Sequence, residues 1–290
     1  MFFKYKWIFV LLFVLGVQTA CNSQRAASSE PTVFTEFWIP ILNRLNSSTP
    51  ERPPSFTQKV NEDLLQLNQK EMRSIEADWK IISEKNPVKN KTDFRRKKNQ
   101  FFHEKVTALN AQALAALNKT IIENPSEENY RKLARKTLAR IESNPLTRTE
   151  NVHQIKDGNQ IGFCFSRALL IHYWLLQEKV PQNAIVKVFV LGELTLDGTF
   201  WQFHVAILVR DPIDGFIVID PLQNDILPYK KWLEIASTYE IKTPQSRARF
   251  YVVSPTKFLP AYGAYHLDQL EDPVLKPYFL ELGESLKAAP

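Results

Sequence analysis

The stretch that decides the fold runs from residue 184 to residue 220, AIVKVFVLGELTLDGTFWQFHVAILVRDPIDGFIVID. Three β-branched and aromatic runs stand in it: AIVKVFVLGEL (184–194), FWQFHVAILVR (200–210) and GFIVID (215–220). Each has the length and composition of a strand, and the LDGT and DPIDG between them are turn chemistry. DPIDG fits a hairpin loop joining the second run to the third. A fourth run, ARFYVV (248–253), follows the turn signal DPLQND. The second half is therefore predicted as α+β: a helix over about 163–178 leading into a mostly antiparallel sheet, with a last helix near 273–287.

Upstream the texture is different. Apolar residues recur at helical spacing over about 34–45, 56–85, 91–123 and 126–143, and KVTALNAQALAALNKTII is strong helix material. The Pro- and Ser-rich NSSTPERPPS (46–55) is a loop, and NPVKN and NPSEEN interrupt the helices. In the second interruption Ser126 is predicted as an N-cap for a helix entering through Glu127 and Glu128. The change of texture after SNPLTRT (143–149) divides the chain into a helical region over 32–148 and an α+β domain over 149–290.

The N-terminus, MFFKYKWIFVLLFVLGVQTAC, has Lys4 and Lys6 ahead of an apolar run from Trp7 to Val17. That run suits a signal-peptide core and is short for a membrane span. Thr19 and Ala20 then lead to Cys21, as in bacterial lipoprotein signals, although Gln18 stands where Leu is usual. Residues 1–20 are predicted as a signal peptide and Cys21 as a lipidation site, with NSQRAASSEP (22–31) completing a tether over 21–31. The alternative is ordinary cleavage near Ala20 without lipid. The mature protein is expected to be exported, facing the periplasm or cell surface on a lipid anchor, or free in the periplasm or secreted.

The formal net charge of +6 is unevenly placed. Residues 1–150 carry 24 Lys and Arg against 16 Asp and Glu, whereas residues 151–290 carry 13 against 15. The densest run, Arg95-Arg96-Lys97-Lys98, lies within a helical pattern and reads as a solvated face, so no nucleic-acid partner is predicted. There is no Gly-rich phosphate loop, and the histidines lack metal-ligand spacing, so neither cofactor nor metal is expected.

The chain has two cysteines. With Cys21 at the signal, Cys164 has no disulfide partner in the mature domain. It starts the predicted helix, in GFCFSRALLIHYWLL (162–176). A helix N-terminus favours an anion and so raises a thiol's thiolate fraction. The alternative is a buried apolar filler. His204 shares a strand face with Gln202, Ala206 and Leu208, opposite Phe203, Val205 and Ile207. Asp220 ends the next strand, ahead of Pro221. Each is weak alone: a lone strand His is often a core residue, and Asp before Pro often caps a turn. Together they let His204 take a proton from Cys164 while Asp220 orients the ring, and the DPIDG hairpin makes that pairing geometrically cheap.

The segments GFCFSRALLIHYWLL, WQFHVAILV, IVIDPLQ and FYVVSPTKFL resemble the bacterial protein-glutaminase (protein-glutamine deamidase) family, a branch of the papain- and transglutaminase-like cysteine hydrolases. The resemblance covers about 150–260 and keeps the order of the Cys, His and Asp boxes. It departs in the Phe163 between Gly162 and Cys164, and in Leu222-Gln223 where Ser is common. It implies a papain/transglutaminase-like domain with Cys164 as nucleophile, His204 as base and acid, and Asp220 as orienting carboxylate. Arg167 matches a family arginine and is expected to tie helix to loop. The implied substrate is a protein or peptide with an accessible glutamine, deamidated to glutamate with release of ammonia. Asn159, Gln160, Gln202 and Trp201 are the candidates for a second oxyanion donor and for substrate contacts, and Tyr173, Trp174 and Phe203 for further cleft walls. The alternatives are a transglutaminase or peptidase using the same triad, or a non-catalytic envelope lipoprotein. The helical first half is predicted as a permanent domain, with a removable pro-segment, a stalk or a partner module as alternatives.

Overall fold

In the computed structural model the described residues are 33–47, 63–88, 90–123, 126–148, 152–154, 160–196, 199–239, 247–261 and 263–288. The segments read as a signal peptide (1–20) and a tether (21–31), Cys21 among them, lie outside them. A π-helical turn, Phe34–Trp38, runs into α1 (Ile39–Ser47). Two long helices follow, α2 (Leu64–Lys85) and α3 (Lys91–Glu123), then α4 (Arg131–Ser143). A short antiparallel pair, β1 (Val152–Gln154) and β2 (Gln160–Gly162), leads directly to α5 (Cys164–Gln177). The main sheet comprises β3 (Ile185–Leu196), β4 (Thr199–Asp211), β5 (Gly215–Ile219), β6 (Leu227–Pro228) and, after α6 (Tyr229–Ser237), β7 (Arg249–Val253). The chain ends with α7 (Leu267–Leu270) and α8 (Lys276–Ala288).

The fold is α+β, with five strands in the order β6-β5-β4-β3-β7 and every neighbouring pair antiparallel. The four strand runs read from the sequence are β3, β4, β5 and β7. The DPIDG loop is the β4–β5 turn. Gly215 takes φ +73° there, in the left-handed region that favours glycine, and a Cβ on it would stand 2.6 Å from Ile121 Cδ1 of α3.

Two cores sandwich the sheet. Val205, Ile207 and Val209 of β4 pack with α5, α1, α4 and α8. Ala206 and Leu208 pack on the other side with Trp232 of α6 and Leu117 of α3. Twelve of the fourteen residues of α5 are buried, so it is a helix enclosed on all sides rather than a one-faced surface helix.

Val33–Pro290 form one compact unit, and the change of texture at 148 falls inside it. Apolar faces of α1 and α4, and part of α3, are covered by the second half. Trp38 Nε1 donates to Phe279 O of α8 at 2.9 Å, and Arg131 of α4 clasps Asp211 of β4 with two hydrogen bonds of 2.8 and 2.7 Å. Gly283 lets α8 approach, since a Cβ there would stand 2.6 Å from Val33 Cγ1. Ser126 is not an N-cap. Helix α4 starts at Arg131, whose N–H is taken by Asn129 Oδ1 at 3.0 Å, while Ser126 Oγ donates to Glu128 O. The Asn129 side chain supplies the local acceptor three residues later than the sequence suggested.

Candidate active site

Helix α5 begins at Cys164 because two phenylalanines anchor the turn. Phe163 stacks on Tyr278 of α8 with ring centroids 3.5 Å apart and planes 7° from parallel. Phe165 meets Phe258 edge-on at 5.4 Å. The N–H groups of Ser166 and Arg167 close on Phe163 O at 3.1 Å each, and no side chain caps the helix. Phe163, the insertion relative to the resembled motif, thus has a packing role. Arg167 is buried and donates to Thr147 O at 2.8 Å and to Arg148 O at 2.9 Å, tying helix to loop as expected.

His204 lies on β4, opposite Val190 of β3. The β4–β5 register sets Ile207 against Ile219. One residue further, Asp220 falls beside Ala206, diagonal to His204 and on the same face. His204 Nε2 and Asp220 Oδ2 stand 2.9 Å apart. The same carboxylate oxygen accepts from Trp232 Nε1 at 2.7 Å, and Oδ1 accepts from Leu222 N at 3.0 Å. The imidazole is flanked by Trp232 and Tyr239, with centroids 6.5 and 6.4 Å away. Cys164 is a free, buried thiol and is also a hydrogen-bond partner of the His204 ring. Asp220 occupies Nε2, which leaves Nδ1 as the nitrogen facing the thiol.

Burial alone pushes the His204 pKa down. The Asp220 charge and hydrogen bond, with a further contribution from Cys164, override this and push it up to about 10. Asp220 is the counterpart: burial raises its carboxyl, but the His204 charge and hydrogen bond, Trp232 and the Leu222 N–H hold it below the usual carboxylate value. At neutral pH the ring carries its proton and the carboxylate its charge. A protonated imidazole beside a thiol is the arrangement that nucleophilic cysteine chemistry uses.

Cys164, His204 and Asp220 are therefore brought together. Gln202 is solvent-exposed on β4, and Trp201 is half-buried beside Leu194, its Nε1 without a partner among the described residues. Asn159, and the side chain of Gln160, lie outside the described residues. Trp174 is a core residue under the Arg140 guanidinium, 4.3 Å from the ring, and Phe203 packs against Phe189, so neither walls a cleft. Tyr173 is partly buried, and its hydroxyl accepts from Gln177 Nε2. Sequence reasoning missed Trp232 and Tyr239. Both come from α6 and its end, a short segment without a strong helix signal. Among the described residues no three His, Cys, Asp or Glu side chains converge as metal ligands. No family model, curated protein or solved structure matches the chain.

Proposed function

We propose that the chain is an exported cysteine hydrolase of the protein-glutaminase type, with a papain/transglutaminase-like catalytic unit. The observation that carries this is the His204 ring held between the Asp220 carboxylate and the Cys164 thiol. In the proposed reaction Cys164 Sγ, as thiolate, bonds to the side-chain amide carbon of a glutamine. The carbon–nitrogen bond breaks, and ammonia leaves with the proton from His204. The neutral ring then takes a proton from water. The new oxygen–carbon bond displaces Cys164, leaving glutamate and restoring the thiolate–imidazolium pair. The Cys164 N–H at the uncapped helix start is the first oxyanion donor.

Access favours a side-chain amide. Cys164 is 8% exposed and His204 3%. A glutamine amide ends a slender, flexible arm that suits so narrow an approach, whereas a scissile peptide bond has chain on both sides. The N-terminal apolar run and Cys21 support export and a lipid anchor.

The test incubates the protein with casein and measures ammonia, cross-links and new peptide termini separately, beside Cys164→Ser. Ammonia from the wild type alone supports the proposal. New termini without ammonia would replace it with a peptidase, and cross-links in place of glutamate with a transglutaminase.

A further inference from the structure

Helices α2 and α3 leave the sheet as a hairpin. Asn110 anchors α3 beside β7, donating to Ala248 O at 3.0 Å and accepting from Phe250 N at 3.0 Å. From Asn110 back to Lys91 the helix runs roughly 30 Å at 1.5 Å per residue. This distal part has its own small core of Ile75, Trp79, Phe102 and Val106.

The tip combines two features. Residues 80–98 hold eight Lys and Arg against two Asp and Glu, a surplus as large as the net charge of the whole chain, +6. Asp93 pairs with Arg96 at 3.2 Å and Glu76 with Lys98 at 2.6 Å, while Lys80, Lys85, Lys91, Arg95 and Lys97 are exposed. Among these cations sit Ile81 and Ile82, 53% and 40% exposed. Beside them is a groove of about 420 Å³ lined by Arg73, Glu76, Trp79, Lys80, Ser83 and Lys98. The Trp79 indole Nε1 is buried without a partner among the described residues.

We propose that this hairpin tip docks on the surface of an anionic phospholipid bilayer. Ile81 and Ile82 enter the headgroup–acyl boundary, and the surrounding cations lie against lipid phosphates. Cations alone would serve any polyanion. Two adjacent exposed isoleucines gain nothing against a nucleic acid backbone, but they lose water at a lipid interface. No described helix is long and apolar enough to cross a membrane, so the tip lies on the bilayer rather than through it.

The experiment is lysine acylation of the full chain read by mass spectrometry, with neutral phosphatidylcholine vesicles, with vesicles containing phosphatidylglycerol, and with duplex DNA. The tip is reported by the shielding of its lysines relative to Lys230 and Lys231 on each kind of vesicle. The proposal expects Lys80, Lys85, Lys91 and Lys97 to be shielded several-fold more by the anionic vesicles than by the neutral ones. Lys230 and Lys231 serve as unshielded references. Shielding should fade at about 0.5 M salt and fall in Ile81→Ser/Ile82→Ser, which keeps every charge. Equal shielding by both vesicles, shielding by DNA but not by vesicles, or shielding unchanged in the double Ser variant would each overturn the proposal. Circular dichroism of the variant establishes that its helices are intact.

Discussion

The Trp232 indole and the His204 imidazole share one oxygen, Oδ2 of Asp220, at 2.7 and 2.9 Å. The carboxylate is thus fixed from two directions, one on α6 and one on β4, with the Leu222 N–H holding its other oxygen. Trp232→Phe keeps most of the ring volume and removes only the donor. It is expected to cost about 1–3 kcal/mol of stability and to lower ammonia release several-fold while the fold remains. Urea denaturation beside the activity assay checks both.

The pair also sets a pH window for stability. His204 has a raised pKa, so its contribution is complete below the unfolded value near 6.5 and is lost as pH rises through about 10. Asp220 is depressed, so its contribution is present above the ordinary carboxylate range and is lost as pH falls through its folded value. The stability difference between wild type and Asp220→Asn is expected to be greatest between these limits, on the order of 3–5 kcal/mol, the cost of breaking a buried pair. It should shrink towards pH 10 and above, and again in acid. Denaturation midpoints for both proteins across pH give the curve.

Arg131 and Asp211 join the helical first half to the sheet. The Asp211 side chain is fully buried and takes both Nε and Nη2 of Arg131, which also reaches Asp214. Arg131→Met strands that carboxylate and is expected to cost about 3 kcal/mol or more. Chemical denaturation should still show one transition, because residues 33–290 are one unit.

Arg167 supports the start of the Cys164 helix from behind. Arg167→Met leaves Thr147 O and Arg148 O without its two charged donors and is expected to cost about 2–4 kcal/mol. If the loop then releases the helix start, ammonia release falls with it. Arg167→Lys should restore part of the stability, with one ammonium in place of a two-pronged donor.

The sheet and the meeting of His204 with Asp220 were legible for one reason. Runs of Val, Ile and Phe between turn residues mark strands buried on both faces, and the DPIDG turn fixes their register, so His204 and Asp220 meet by counting. The packing partners were not legible. Helical periodicity says that α1, α3 and α4 each have a buried face, but it does not say what covers it. Trp232 reads as an ordinary aromatic in YKKWLEIAS, because an indole's hydrogen-bond acceptor is chosen by tertiary packing. Segments of three residues such as β1 and β2 carry no periodicity at all.

The most direct test of the account is the rate at which a small alkylating reagent modifies Cys164 at neutral pH, in wild type and in His204→Ala. The account predicts that wild-type Cys164 reacts faster than an ordinary free thiol and that His204→Ala slows it roughly tenfold or more. Equal rates in the two proteins, or a wild-type rate no faster than that of a free thiol, would contradict it.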